Sequence, residues 1–251
     1  MEQMPSNEPV MDTKPGVAGW FQVWMKAVTK PNEQTFIDLT DGPEATSKTA
    51  FIWIFIAGTI SGIFQAILQG IYTATGTSAI SQLPQIPGLE QYLQNIPQGG
   101  TGSIGSVLIA ICCSPLVGLL SVLFFALFAA IVQWIAKMFG GTGTFDKLAY
   151  AFAAISVPFS IISAVFSLFS AIPYIGGCFG IITFGLSIYV FVLQMMAVKG
   201  INRFGWGQAA GALLIPGLVI FIFCCCIVAL GAMALGPVIG QNFNDLQQFA
   251  P

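Results

Sequence analysis

The sequence predicts an all-α membrane protein. It has five transmembrane helices, its N-terminus cytoplasmic and its C-terminus outside, preceded by a short interfacial amphipathic helix. Three observations carry this prediction. Hydrophobic residues make up 56% of the 251 and charged residues 7%, whereas a soluble domain needs roughly 25% charged residues to wet its surface. Mean hydropathy is +0.85, and several uncharged runs reach the roughly 20 residues that carry a helix across a hydrocarbon core about 30 Å thick. All eight Lys and Arg fall on one side of a five-span topology, the side that positive charge marks as cytoplasmic.

The elements follow in chain order. Residues 1–16 form a polar tail with Pro5, Pro9 and Pro15 and no apolar period, the composition of a disordered segment. It lacks the basic-then-apolar order of a signal peptide. In 17–48, Trp20, Val23, Trp24, Ala27 and Val28 recur at helical spacing with Lys26 off the stripe. That is a short amphipathic helix. It either lies at the headgroup level, where Trp and Lys are favoured, or caps the cytoplasmic end of the bundle. Lys30-Pro31 ends it, and a polar linker over 32–48 contains the turn signal Asp41-Gly42-Pro43.

The transmembrane domain covers 49–235, with spans at about 50–72, 104–136, 148–171, 175–198 and 209–235. Between the first two, Leu89, Tyr92, Leu93 and Ile96 mark a short amphipathic helix in a Pro/Gly/Gln-rich loop. The second span is too long for the hydrocarbon, at roughly 50 Å for 1.5 Å per residue. Pro115 is the expected break. Thr144 is placed to cap the third span, with Asp146 in its first turn. Residues 199–208 read as a Gly-rich aromatic loop, and 236–251 as an extracytoplasmic tail.

The basic residues are Lys14, Lys26, Lys30 and Lys48 before the first span, Lys137 and Lys147 in the second cytoplasmic loop, and Lys199 and Arg203 in the third. The loops on the other side hold none. No Asp, Glu, Lys or Arg lies within a span, which disfavours proton-coupled transport. Histidine is absent, and with it the commonest metal ligand and neutral-pH base. Gln65, Gln69, Gln133 and Gln194 could line an uncharged pore, but more often such amides bond between helices.

Cys112, Cys113 and Cys178 fall in the outer thirds of their spans, so a disulfide there needs the two spans to be adjacent. Small thiols in a packed bundle are the simpler reading. The pairs Gly58/Gly62, Gly176/Gly180, Gly207/Gly211 and Gly236/Gly240 repeat every four residues and suit close helix packing. The loop glycines lack the strand and the Gly-Lys-Ser/Thr of a phosphate loop. No nucleophile stands beside a base, so catalysis is not expected. Nothing calls for a cofactor, a metal or nucleic acid; net charge is −2.

Trp24-Met25-Lys26-Ala27-Val28-Thr29-Lys30-Pro31 followed by Gln34-Thr35-Phe36 resembles the N-terminal segment of prokaryotic-type Yip-one domain proteins, a family named for interaction with Ypt/Rab small GTPases. Gly140-Gly141-Thr142-Gly143-Thr144-Phe145 with Ala151 and Pro158 resembles its central loop and the Pro-containing helix after it. Val198-Lys199-Gly200-Ile201, Gly207-Gln208-Ala209 and Pro216 resemble its last cytoplasmic loop and helix. The resemblance covers most of 20–230. Eukaryotic members carry Asp-Leu-x-Gly-Pro before the first span; Asp38-Leu39-Thr40-Asp41-Gly42-Pro43 is one residue longer. The resemblance implies five spans, an inward N-terminus and a scaffold or trafficking role, with no active-site residues to carry over.

The expected function is therefore non-catalytic binding, to membrane lipids or to a membrane or cytoplasmic protein partner, with self-association open. The expected location is the cell membrane. Trp20, Trp24, Phe145, Phe204 and Trp206 are the candidate contacts on the cytoplasmic side, or else interfacial anchors. The alternative is a passive channel or transporter subunit built on proline-kinked helices.

Overall fold

Long apolar runs can satisfy their backbone in a bilayer only by closing it into helices. A computed structural model describes residues 17–74, 104–169, 172, 175–219, 222 and 225–226. Among these the regular structure is α-helix, with no strand. The helices are α1 (Val17–Thr29), α2 (Glu33–Thr40), α3 (Ser47–Ala74), α4 (Ile104–Cys112), α5 (Ser114–Met138), α6 (Phe145–Phe169) and α7 (Ile175–Asn202). A shorter apolar helix, α8, runs Trp206–Val219. Four helices are long and apolar enough to cross a membrane: Ser47–Tyr72, Ser114–Met138, Phe145–Phe169 and Gly176–Asn202. The polar tails 1–16 and 236–251, the loop helix near 89–96 and most of the last apolar run past Val219 lie outside the described residues.

The long second run breaks where Pro115 predicts. Cys113 ends α4, and α5 restarts with proline in its first turn, a position where the missing N–H is harmless. Thr144 caps α6: its Oγ1 accepts from Lys147 N at 3.5 Å and its carbonyl from Leu148 N at 3.2 Å. Pro158 sits inside α6 without ending it.

Three boundaries differ from the sequence reading. Residues 32–48, expected as a linker, contain α2. Asn32 caps it through Gln34 N, and Phe36 is fully buried. The fourth span continues through Lys199 and Gly200 to Asn202, because Gly200 lets the backbone of Glu33 approach. The 199–208 loop thereby shrinks to three residues, 203–205, and Trp206 opens α8.

Helix α6 is the central helix. From Leu148 to Ile155 every residue is buried, a pattern that requires neighbours all round. It packs against α3 and α7 most extensively, and also against α1, α2 and α5. Helix α3 crosses α5 at small residues: a Cβ on Gly58 would lie 2.7 Å from Ser121 Oγ, and one on Gly118 2.8 Å from the Phe55 carbonyl. The Gly58/Gly62 pair therefore brings two helices of one chain together, the dense van der Waals packing that joins helices in lipid. By contrast Gly177, Gly180 and Gly185 of α7 face open space. Outward, α5 shows Leu119, Leu123, Phe124 and Trp134, all more than 60% exposed, and α7 shows Ile181 and Phe184. An apolar surface this continuous fits lipid contact and no aqueous one.

Candidate interaction surface at the basic end

Hydrogen bonds fix which helix ends lie together. Ser47 N, at the start of α3, donates to Asp146 Oδ1 of α6 at 3.2 Å. Thr142 N, between α5 and α6, donates to the Asn202 carbonyl that ends α7 at 3.2 Å. Gln208 Nε2 of α8 donates to the Phe139 carbonyl at 3.2 Å. The starts of α3, α6 and α8 and the ends of α5 and α7 thus share one end of the bundle. Lys48, Lys137, Lys147, Lys199 and Arg203 sit on these ends, with Lys26 and Lys30 on the segment packed beside them.

The N-terminal segment is docked onto this end. Helix α2 lies against α7, with Lys199 paired to Glu33 in a partly buried ion pair. Lys147 Nζ bonds Asp41 Oδ1 at 2.6 Å at the other end of α2. Tyr189 of α7 donates its hydroxyl to the Val28 carbonyl at 2.7 Å, tying down the end of α1.

Helix α1 has two apolar faces. One carries Trp20, Trp24 and the fully buried Ala27 into the bundle. Trp20 and Trp24 meet Trp53 edge-on, with ring centroids 6.0 and 5.6 Å apart, and Trp53 lies 4.9 Å from Tyr150. Edge-to-face contact is the arrangement the aromatic quadrupole favours. The opposite face leaves Phe21 60% and Met25 45% exposed.

The other candidate contacts fall at separate points of the same end. Phe145 is half-buried, 6.4 Å from Phe51. Phe204 packs half-buried against the core. Trp206 is 46% exposed, and the Lys199 ammonium sits 4.4 Å from its ring centroid, within reach of a cation–π attraction. The structure brings Trp20 and Trp24 together around Trp53 and leaves Trp206 the most open of the five.

Beneath this surface lies a polar knot centred on a residue that sequence reasoning passed over. Asn202 is 1% exposed. Its Oδ1 accepts from Gln133 Nε2 at 3.1 Å and from Gly143 N at 3.2 Å, and its Nδ2 donates to the Val198 carbonyl at 3.1 Å. Gln133 Nε2 also donates to the Gly143 carbonyl at 2.7 Å. A Cβ on Gly141 or Gly143 would come within 2.6 or 2.7 Å of Asn202 Oδ1, so the Gly-Gly-x-Gly run leaves room for an amide. Gln133 Oε1 is buried with no partner among the described residues. The signal available in the sequence was an asparagine directly after an apolar span, facing a loop with two small residues at alternate positions.

Several other candidates resolve simply. Cys112, Cys113 and Cys178 are free thiols, so the conceivable disulfide is not formed. Among the described residues no cluster of Cys, Asp and Glu could hold a metal. Several hydroxyls inside the spans bond back to their own helix: Thr59 donates to Phe55, Ser121 to Val117, Ser160 to Val157 and Thr183 to Phe179, the back-bonding expected in hydrocarbon.

An all-helical chain with several bilayer-length apolar helices and a lipid-compatible exterior is a multi-pass membrane protein. A family model described as the Yip1 domain matches residues 25–228, and the chain belongs to the Yip1 domain family. No curated protein and no solved structure matches it.

Proposed function

We propose that the protein is a non-catalytic scaffold of the cell membrane that binds lipids or a partner protein through its basic end. The carrying observation is that every described Lys and Arg gathers at that end, around a folded and docked N-terminal segment. Positive charge marks the cytoplasmic side, so the N-terminus is cytoplasmic. The sequence stays apolar to Leu235, and this reading counts 209–235 as a fifth span with the C-terminus outside. Phe21 and Met25 on the outer face of α1 sit in the headgroup layer beside Lys26, while Trp20 and Trp24 hold the helix to the bundle. Trp206, Phe204 and Phe145 offer the aromatic part of the contact surface.

A channel fits less well, because Gln133 Nε2 is held by Gly143 and Asn202 and hydroxyls such as Thr59 and Ser121 by their own carbonyls. The test is extraction in native lipid followed by mass spectrometry of what stays bound. A stoichiometric protein or one enriched anionic lipid, lost on replacing Lys137 and Arg203 with Glu, is expected. A lone chain with bulk lipid would overturn the proposal and turn attention to solute flux.

A further inference from the structure

We infer that the open cleft at mid-span between α3, α4–α5 and α6 binds an uncharged amphiphile, a hydrocarbon body carrying one hydroxyl or carbonyl group. This deepens the reading of the protein as a binder of membrane components and rests on it only in treating the chain as non-catalytic. The cavity has a volume of about 600 Å³, within the range of small-molecule sites. Its walls are small residues, among them Ala57, Gly62 and Ala110, which leave the space that larger side chains would fill.

Position and polarity select the occupant. Gly58 and Gly62 lie midway along the Ser47–Tyr72 span, so a ligand reaches the cavity from the bilayer. No Asp, Glu, Lys or Arg lines it, and a charge there would go unpaired in hydrocarbon at great cost. A phospholipid headgroup is excluded on that ground. Yet the wall is not wholly apolar. Ser121 and Ser160 are already bonded within their helices. Ser61 and Gln65, one turn apart on the same face of α3, line the cavity with no partner among the described residues. An unpaired amide in hydrocarbon is costly, and one ligand hydroxyl or carbonyl placed between Ser61 and Gln65 satisfies it.

The experiment uses the full chain in phosphatidylcholine nanodiscs and a monoacylglycerol probe with a mid-chain diazirine and a terminal alkyne. Saturable photolabelling is expected, mapping to residues 57–66 and 110–117 and displaced by excess unlabelled monoacylglycerol. Ser61→Leu and Ala110→Phe fill the cavity from different helices, and each should cut labelling at least ten-fold while elution stays monodisperse. Gln65→Leu should weaken the monoacylglycerol about ten-fold and leave a diazirine alkane of equal length unchanged. Labelling that never saturates, or that spreads over Leu119, Leu123 and Phe124 and ignores both fillers, would overturn the inference. Failure of the scaffold proposal, with no lipid or protein held at the basic end, leaves saturable mid-span labelling untouched, so the two outcomes separate.

Discussion

The basic half of the bundle and the opposite half use the same alphabet differently. Near the basic end, α6 is buried at every position from Leu148 to Ile155. Aromatic rings meet around Trp53, and Asn202 ties the ends of three elements together. Toward the other end α5 and α7 face outward, and glycines such as Gly180 and Gly185 meet nothing. Glycine is abundant in both halves, and what it does depends on the helix: Gly58, Gly62 and Gly118 let α3 and α5 touch, while the glycines of outer α7 merely lack a side chain. The lesson is that packing density is concentrated where the chain must hold a soluble N-terminal segment against the membrane domain.

Substitutions should therefore separate the halves. Trp53→Ala removes the ring that Trp20, Trp24 and Tyr150 share, and should cost about 4 kcal/mol, read as a large fall in thermal unfolding temperature in detergent. Exposure of α1 to protease should accompany it. Asn202→Ala leaves Gly143 N–H unpaired and takes one of two acceptors from Gln133 Nε2, and should cost on the order of 2 kcal/mol, at about 1–3 kcal/mol for a buried unpaired group. An equal loss from Ser187→Ala in the outer half of α7 would break the comparison.

Within the half away from the basic end, the glycines of α5 and α7 give a sharper pair. Gly118→Ala drives a methyl into the Phe55 carbonyl and should destabilise by about 1–3 kcal/mol. Gly185→Ala, with open space around it, should be neutral or stabilise by about 0.5 kcal/mol, as an alanine in a helix does. Smallest of all, Asp41→Asn breaks an ion pair whose side chains are 59% and 41% exposed and should change stability by less than about 1 kcal/mol.

Much of this architecture was legible in the sequence because lipid imposes simple rules. Hydropathy located the long helices, Pro115 the break in the second run and Thr144 the cap of α6. What escaped were features decided by neighbours. Helix α2 is only eight residues long, too short to stand on propensity, and exists because Phe36 finds the core. Gly200 read as a loop residue, yet it lies in a helix where Glu33 packs against it. On α1 periodicity grouped Trp20, Trp24 and Ala27 on one stripe, but it could not say whether that stripe meets the headgroups or, as the structure has it, Trp53. Asn202 looked like a loop residue, and only the approach of Gly141 and Gly143 makes it a hub.

The pairing of Glu33 with Lys199 also sets a timetable. The two residues are 166 positions apart in the chain, and ribosomes add about 5–20 residues per second. Helix α2 emerges first but cannot reach its docking partner for roughly ten to thirty seconds, until α7 has been synthesised and inserted. For that interval α2 lacks the helix it packs against most, although α3 and α6 are already there to receive α1. A chain truncated before α7 never gains that contact, so the surface of α2 that faces α7 distinguishes an unfinished copy from a finished one.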